Sequence, residues 1–555
     1  MLLKNFRSFL LFLAMLALIT LACGVFDFGG DGPPGNAVVV NVAANTSLTP
    51  WLETAVAGFN DAGIENDDGQ PFFAVLTAIE SGQAVAELAG GSLDDGVVPA
   101  LWLPDEAVWV NVLADQGNNT FQGNCASVAE SPLVIGMWRE VAESLGWPSL
   151  PLGWLDVGSL AADPSAWTYY SGGAFGEALR LSHTHPGLSG SGTSTLLALV
   201  QAAEAKTEAV TADDIQQPIV QASVGAFEGA VAWFSNSTNN LGATMSERGA
   251  SYLGAAVMYE STVVQHGGGE IVPIYPLEGT FVATHPACVN NAAEAEVQEA
   301  ARIFRDYLMG EEGQQTAVNF GLRPVNPNVT IGAPLDASRG VDLEQPAIRF
   351  NPPTVETIYA VQELWQEARK DVNLVMLLDT SGSMRGRAID NMLEAAEQFV
   401  QQMGEDDYIS IIAFHNQPDL LLEHEQVGPS RQKIISTIRG LRASGDTTLF
   451  DAIGDGAAVI ASTQSVETAN ALVVLTDGED TASTRYGFNS QLTEAATANN
   501  TTVFTIAYGS GADERTLQTI AEEANGNFYQ GDEASIAAIY EEMSAAFGGS
   551  VGVGR

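Results

Sequence analysis

The chain has 555 residues, with 68 Asp and Glu against 22 Lys and Arg, a formal charge of −46. That imbalance excludes nucleic acid as a partner and disfavours an anionic membrane surface, because affinity for either comes mainly from Lys and Arg at the phosphates. With 46% hydrophobic and 16% charged residues the chain is globular rather than an acidic tail, and long enough for two to four domains of roughly 100 to 200 residues each.

Lys4 and Arg7 precede an apolar run from Phe9 to Leu21, followed by Ala22 and Cys23. This is the order of a secretory signal with a small residue at the cut. The run is shorter than the ~20 apolar residues a spanning helix needs. TLAC at Thr20 to Cys23 resembles a bacterial lipoprotein lipobox, which implies cleavage before Cys23, its diacylation, and an exported protein held by lipid at the extracellular face of the cell membrane. An ordinary cleaved signal with an incidental cysteine is the competing reading. Residues 1–22 are thus expected to be a signal peptide and residues 23–36, with GGDGPPG, a flexible tether. Export also favours a disulfide between Cys125 and Cys288, which fall in one predicted domain. Two buried free thiols are the alternative.

From residue 37 to about 330, short apolar runs alternate with helical patterns: AVVVNVAA, a helix near Trp51 to Ala62, FFAVLTAIE, ALWLP, a helix near Glu106 to Ala114, then SPLVIGMW. Strand and helix in alternation predict an α/β domain with a largely parallel sheet. A second α/β set includes GLSGSGTSTLLALVQAA and GAVAWF. Gly187, Ser189, Gly190, Ser191, Gly192 and Thr193 precede the apolar run from Leu196, so small residues sit at a helix N-terminus, whose free N–H groups and dipole favour an anion. Asn45, Thr46, Ser47 and Thr49 follow the first predicted strand, and Ser81, Gly82 and Gln83 the next, where loops line a crevice. Each stretch alone would also suit an N-cap or a turn. No Arg or Lys accompanies them, so a strongly charged anion would lack its counter-charge. The periodicity of Ala292 to Met309 gives a core-facing helix through Ala300, Ile303, Phe304 and Leu308, and core packing is the expectation for most of Trp51, Trp102, Trp109 and Trp233.

ESPLVIGM, GLSGSGTSTL, IYPLEGT and AARIFRDYLMGEEGQQTAVNFGLRP together resemble extracellular solute-binding proteins of the type II periplasmic fold. The resemblance implies two lobes joined by crossing strands near Ser131 to Met137 and Ile274 to Thr280. A cleft between them would offer Thr46, Ser47, Ser81, Ser189, Ser191, Gly192 and Thr193 to a small solute.

Residues 331–370 read as an interdomain connection rich in proline, followed by a helix from about Val355 to Arg369. From Asp371 to about residue 548 the hydrophobic strands NLVMLLD, YISIIAF, ALVVLTD and TVFTIAYGS, separated by helical or mixed segments, predict a doubly wound sheet with its chemistry at the strand C-termini. There lie Asp379, Ser381 and Ser383 after one strand, Thr447 in a loop before a helix, and Asp477 after another strand. All five are hard oxygen ligands, suited to Mg2+ or Mn2+ with waters completing an octahedron. DTSGS, GDTTLFDAI and TDGED resemble the von Willebrand factor A domain and its metal-ion-dependent adhesion site, in order and spacing. That resemblance implies the same five residues as ligands, and a coordination position open to a partner's Glu or Asp. Asp446 stands where that family often has Gly, which puts Thr447 in question. Residues 549–555 are left as a tail.

The expected whole is an α/β protein, a two-lobed binding fold followed by a Rossmann-like module. Its expected function is a cell-surface binding or adhesion lipoprotein with a divalent-metal-dependent site. The alternative is the substrate-binding receptor of an ABC-type transporter, its C-terminal module docking a protein. Catalysis has the least support: no nucleophile elbow, paired catalytic carboxylates or zinc motif stands out, and His415 and His424 read as surface or loop residues.

Overall fold

A computed structural model describes residues 32–93, 96–465, 468–498, 501–509, 511–524 and 526–549. The expected signal peptide, Cys23, most of the tether and the tail beyond 549 lie outside the described residues. Among those described, no helix is long and apolar enough to cross a membrane.

The first part of the chain contributes β1 (Val38–Ala44), β2 (Phe72–Ala78), β3 (Leu101–Leu103), β4 (Cys125–Ser127), β5 (Ser131–Trp138), β6 (Leu181–Thr184), β7 (Val231–Ser235), β8 (Ala255–Tyr259), β9 (Ile271–Ile274), β10 (Val282–Ala283) and β11 (Pro286–Val289). They form two sheets. The first runs in the order β2, β1, β3, β11, β4; the second in the order β10, β5, β8, β6, β7, with β9 also on β5. Both are mixed: β1 is parallel to β2 and β3, whereas β11 and β5 pair antiparallel to their neighbours. These sheets are the centres of two lobes. The return crossing falls at β10 and β11, later than the expected Ile274 to Thr280, because IVPI at 271–274 is spent on β9 inside the second lobe. Cys125 and Cys288 face each other across the β4–β11 pair, and their sulfurs are bonded.

Apolar patterning explains the packing. In the helix Ala295–Met309, Ala300, Ala301, Phe304 and Leu308 are buried on the first lobe, where Phe59 meets Phe304 edge-on at 4.9 Å. Trp51, Trp102 and Trp109 are core residues, and Trp233 is 8% exposed.

The expected connection is anchored at Leu335, Val341, Pro346 and Phe350, which are buried, with exposed residues between them. Arg323 places a bidentate ion pair on the fully buried Glu260 and donates to the carbonyl of Gln345 at 2.6 Å. Phe350 returns to the hinge, its N–H bonding Thr280 O at 2.9 Å. The helix Val355–Ala368 then spans both lobes. Tyr359 donates to Asp115 of the first lobe at 3.2 Å, and in the second Gln362 donates to Pro186 O at 3.1 Å and Trp365 to Glu228 at 3.0 Å.

The remaining strands are β12 (Asp371–Asp379), β13 (Tyr408–Phe414), β14 (Pro418–Gln426), β15 (Thr468–Thr476), β16 (Thr502–Tyr508) and β17 (Phe528–Gly531), in the spatial order β14, β13, β12, β15, β16, β17. All pairings are parallel except β13 with β14. VNLVMLLD of β12 is buried almost throughout, as a strand with helices on both faces must be. The helix Arg387–Gln402 covers one face with Ile389, Met392, Ala396 and Phe399 at helical spacing, and Leu449–Thr463 covers the other.

This module rests on the second lobe by the N-terminal ends of its strands. Lys370, Val372, Asn470 and Thr502 line a small cavity with Trp233 and Phe234. Arg248 reaches over Tyr252 to donate to Gly526 O at 2.8 Å. The C-terminal ends therefore point away from the contact.

Candidate functional sites

The strand order reverses at β12: the chain runs outward through β13 and β14, then returns to β15 on the other side. A crevice opens at such a switch point, outside the strand C-termini. Asp379 closes β12 there, and Asp477 follows the last residue of β15.

The loops that meet at this point are laced together. Gly382 N–H donates to Gly445 O at 2.9 Å and Ser444 N–H to Thr380 O at 2.7 Å, while Thr481 and Ala482 N–H both donate to Thr447 O. Gly445 has φ +83°, and a Cβ there would stand 2.6 Å from the Asn416 side chain, so the turn needs glycine.

The side chains join in a chain of hydrogen bonds. Ser381 N–H donates to Asp379 Oδ1 at 2.7 Å and Thr476 Oγ1 to Asp379 Oδ2 at 2.5 Å. Ser381 and Ser383 hydroxyls lie 3.0 Å apart, and Ser383 donates to Asp477 Oδ1 at 2.6 Å. Thr447 Oγ1 and Ser383 Oγ are 3.6 and 3.8 Å from the point above Gly478 where a Cβ would sit. All five residues singled out in the sequence thus converge. Asp379 and Ser381 are buried, Asp477 is half-buried and Ser383 exposed. Asp446 is exposed, and its N–H donates to Asn416 Oδ1 at 3.0 Å, so it leaves Thr447 inside the cluster.

Burial pushes both carboxylates above the usual aspartate range, and Asp477 adds to the effect on Asp379. Neither has an ion-pair partner among the described residues. Two carboxylates without a counter-charge, ringed by three hydroxyls, form a donor set chemically suited to a hard divalent cation. No group of three or more His, Cys, Asp and Glu side chains suited to a metal occurs among the described residues, so hydroxyls must supply the rest of any such shell.

The second cluster lies between the lobes. The expected cleft residues do meet there, and apart from the half-buried Thr46 they are buried. Ser47 turns back on Asn45 Oδ1 at 2.6 Å. Ser191 Oγ lies 2.8 Å from Thr184 Oγ1, 3.1 Å from Ser189 Oγ and 2.9 Å from Thr238 Oγ1. Thr193 donates to Pro186 O at 2.5 Å, and Gly192 packs where a Cβ would be 2.1 Å from Thr184 O. Ser81 donates to Asp105 Oδ1 at 2.6 Å.

Two residues at the centre were not anticipated, Glu80 and Asp105, which are 1% and 0% exposed. Glu80 accepts from Asn45 Nδ2 at 3.1 Å and from the Thr46 hydroxyl in its own lobe. From the other lobe it accepts from Thr238 N–H at 3.0 Å. Asp105 accepts from the Tyr259 hydroxyl of the opposite lobe and presses so closely on Gly190 that a Cβ there would lie 1.9 Å from Oδ2. Burial raises the pKa of both carboxyls against these hydrogen bonds, and raises Glu106 well above its ordinary value with help from Asp105. His185 and His285 flank the cluster, and burial pushes each down to about 3, so they stay neutral. The neighbour that could have betrayed Glu80 was Ser81, the next residue, already singled out.

Comparison with known proteins agrees with this division. A family model described as bacterial extracellular solute-binding protein matches residues 40–323, and one for the von Willebrand factor type A domain matches residues 373–542. Similar curated proteins include an uncharacterized protein of Synechocystis, 29% identical over 164 residues, and an inter-alpha-trypsin inhibitor heavy chain of Mus musculus, 24% identical over 185 residues. The matches take in 29% and 31% of this chain but only 38% and 21% of those relatives. Among solved structures, the sulfate-binding protein SubI from Mycobacterium tuberculosis is 17% identical with a TM-score of 0.38, covering 52% of this chain and 88% of its own. The von Willebrand domain of a type V pili tip protein from Porphyromonas gingivalis is 14% identical with a TM-score of 0.29, covering 33% of this chain and 98% of its own. The chain belongs to the bacterial extracellular solute-binding proteins and carries a von Willebrand factor type A domain after that module.

Proposed function

We propose that this is an exported surface protein that recognises a protein partner through a divalent cation, with the two lobes as the base of the recognition module. The observation that carries the reading is the convergence of two carboxylates and three hydroxyls at the sheet edge that points away from the docked lobe. Asp379, Ser381, Ser383, Thr447 and Asp477 would hold Mg2+ or Mn2+, hard cations that take oxygen ligands and retain waters. When bound, the cation supplies a coordination position for a Glu or Asp of the partner. The buried Asp379 and Ser381 form the floor, and the exposed Ser383 and half-buried Asp477 form the rim. Since the five side chains already contact one another or a common point, little reordering opposes loading. Neither family is catalytic as a rule, and binding rather than turnover is the chemistry read from the site.

Export and anchoring belong to the same reading, with Cys23 as the diacylated residue. Mass spectrometry of the N-terminal peptide from a bacterial host should find lipid on Cys23; a mature chain beginning beyond it would remove the anchor. The test of the site is titration of the metal-free chain with Mn2+, where the parent should bind and Asp379→Ala should not. A second reading, the receptor of an ABC-type transporter, is favoured by the family of residues 40–323. It requires the lobes to admit a small solute.

A further inference from the structure

We propose that Glu80 is a built-in ligand of the interlobe cleft: its carboxylate fills the place of a small anion, holds the lobes together, and makes this solute-binding module a closed scaffold rather than a receptor. A carboxylate is the kind of group that the amides and hydroxyls at a cleft of this sort would solvate, and here the chain supplies it. Glu80 leaves the first lobe just before the helix Ser81–Ala89 and collects donors from both sides: Asn45 Nδ2 and the Thr46 hydroxyl on its own lobe, and Thr238 N–H on the other.

Two backbone donors that might serve a visiting anion are used up in the same way. The first amides of that helix, Gly82 and Gln83 N–H, both donate to Leu188 O across the cleft, at 2.8 and 3.0 Å. A Cβ on Gly82 would stand 2.4 Å from Gly187 O, which measures how closely the lobes approach. Beside Glu80, Asp105 and Tyr259 form a second bond between the lobes.

The closure is also fixed from outside the cleft. The helix Val355–Ala368 holds Asp115 on one lobe and Pro186 and Glu228 on the other, and the Arg323–Glu260 pair ties the end of the first lobe to the second. A receptor that opened to exchange solute would have to break all of these contacts together.

Deleting the Glu80 side chain while keeping the full chain should turn the internal ligand into an external requirement. Glu80→Ala should melt about 5 °C below the parent, as expected when buried donors lose their acceptor. Sodium acetate or formate, compared with sodium chloride at equal ionic strength, should restore most of that loss in a saturable way and leave the parent unmoved. Glu80→Gln, which still fills the space, should not be rescued. A folded Glu80→Ala that gains nothing from acetate or formate overturns the proposal. If Glu80→Ala does not fold, the parent decides: titration with sulfate, phosphate and acetate should give no binding heat and no change in radius of gyration by small-angle scattering. Saturable binding with compaction in the parent would mean an open receptor, and would overturn the proposal.

Discussion

The chain builds two clusters from the same residue types, Ser, Thr, Gly and Asp or Glu at strand ends and helix starts, and gives them opposite fates. Around Asp379 the hydroxyls and carboxylates come from loops of a single sheet, at an edge no other part of the described chain covers, and the exposed Ser383 leaves the cluster open. Around Glu80 they come from two lobes and all but the half-buried Thr46 are buried, each carboxylate answered by a donor from across the cleft. The difference lies in what faces the cluster. The first is left with two carboxylates that have no counter-charge among the described residues, whereas in the second the chain itself supplies the donors.

The comparison can be broken most forcefully on the sealed side. Arg323→Ala should lower stability by about 3–5 kcal/mol in denaturant unfolding, because it strands Glu260 in the interior without its partner. A loss below about 1 kcal/mol would mean that the hinge is wet and loose. On the open side, Asp379→Ala should weaken Mn2+ binding by about 100-fold or more, since affinity at a hard-cation site follows the number of charged ligands.

Two milder substitutions sharpen the contrast. Tyr259→Phe removes a donor from buried Asp105 and should cost about 1–3 kcal/mol of stability. Ser383→Ala should change stability by less than about 0.5 kcal/mol yet measurably weaken cation binding. Equal stability costs would mean that the two clusters are not differently exposed.

Acidity should separate them as well. Burial raises the pKa of Asp379 and Asp477 in the metal-free fold, so their contribution favours the folded state at low pH and is lost as pH rises through the raised native values. A cation needs both carboxylates ionised, so Mg2+ should reverse that trend and stabilise the module increasingly toward neutral pH. Thermal midpoints across the acid range, in chelator and in Mg2+, measure the sign directly. Smallest of all, Asp446→Gly should leave both stability and cation affinity nearly unchanged, within about 0.5 kcal/mol, because that side chain is exposed.

How much could be read beforehand follows from the same contrast. Asp379, Ser381 and Ser383 lie within five residues of one another, and Thr447 and Asp477 precede a helix or follow a strand, so the convergence of these side chains was legible from local spacing. The central strands were legible too, being continuous apolar runs. The strand β14 was not, because PDLLLEHEQ is an edge strand opening on Pro and carrying charges, and β17 has only four residues. The hydroxyls of the cleft were found as a group, but not Glu80 and Asp105 at its centre. Their donors stand as far as 158 residues away along the chain, and no local pattern reports a buried carboxylate satisfied at that distance. The anchoring of the proline-rich connection was not legible for a related reason: it lacks periodicity, and its contacts are made residue by residue.

On the reading proposed above, Asp379, Ser381, Ser383, Thr447 and Asp477, at the C-terminal edge of the sheet formed by β12 to β17, form a cation site. Calorimetric titration of the metal-free full chain with Mn2+, alongside Asp379→Ala, tests it most directly. Saturable binding of one cation per chain in the parent and none in the variant is the predicted result. No binding by the parent, or equal binding by both, would contradict it.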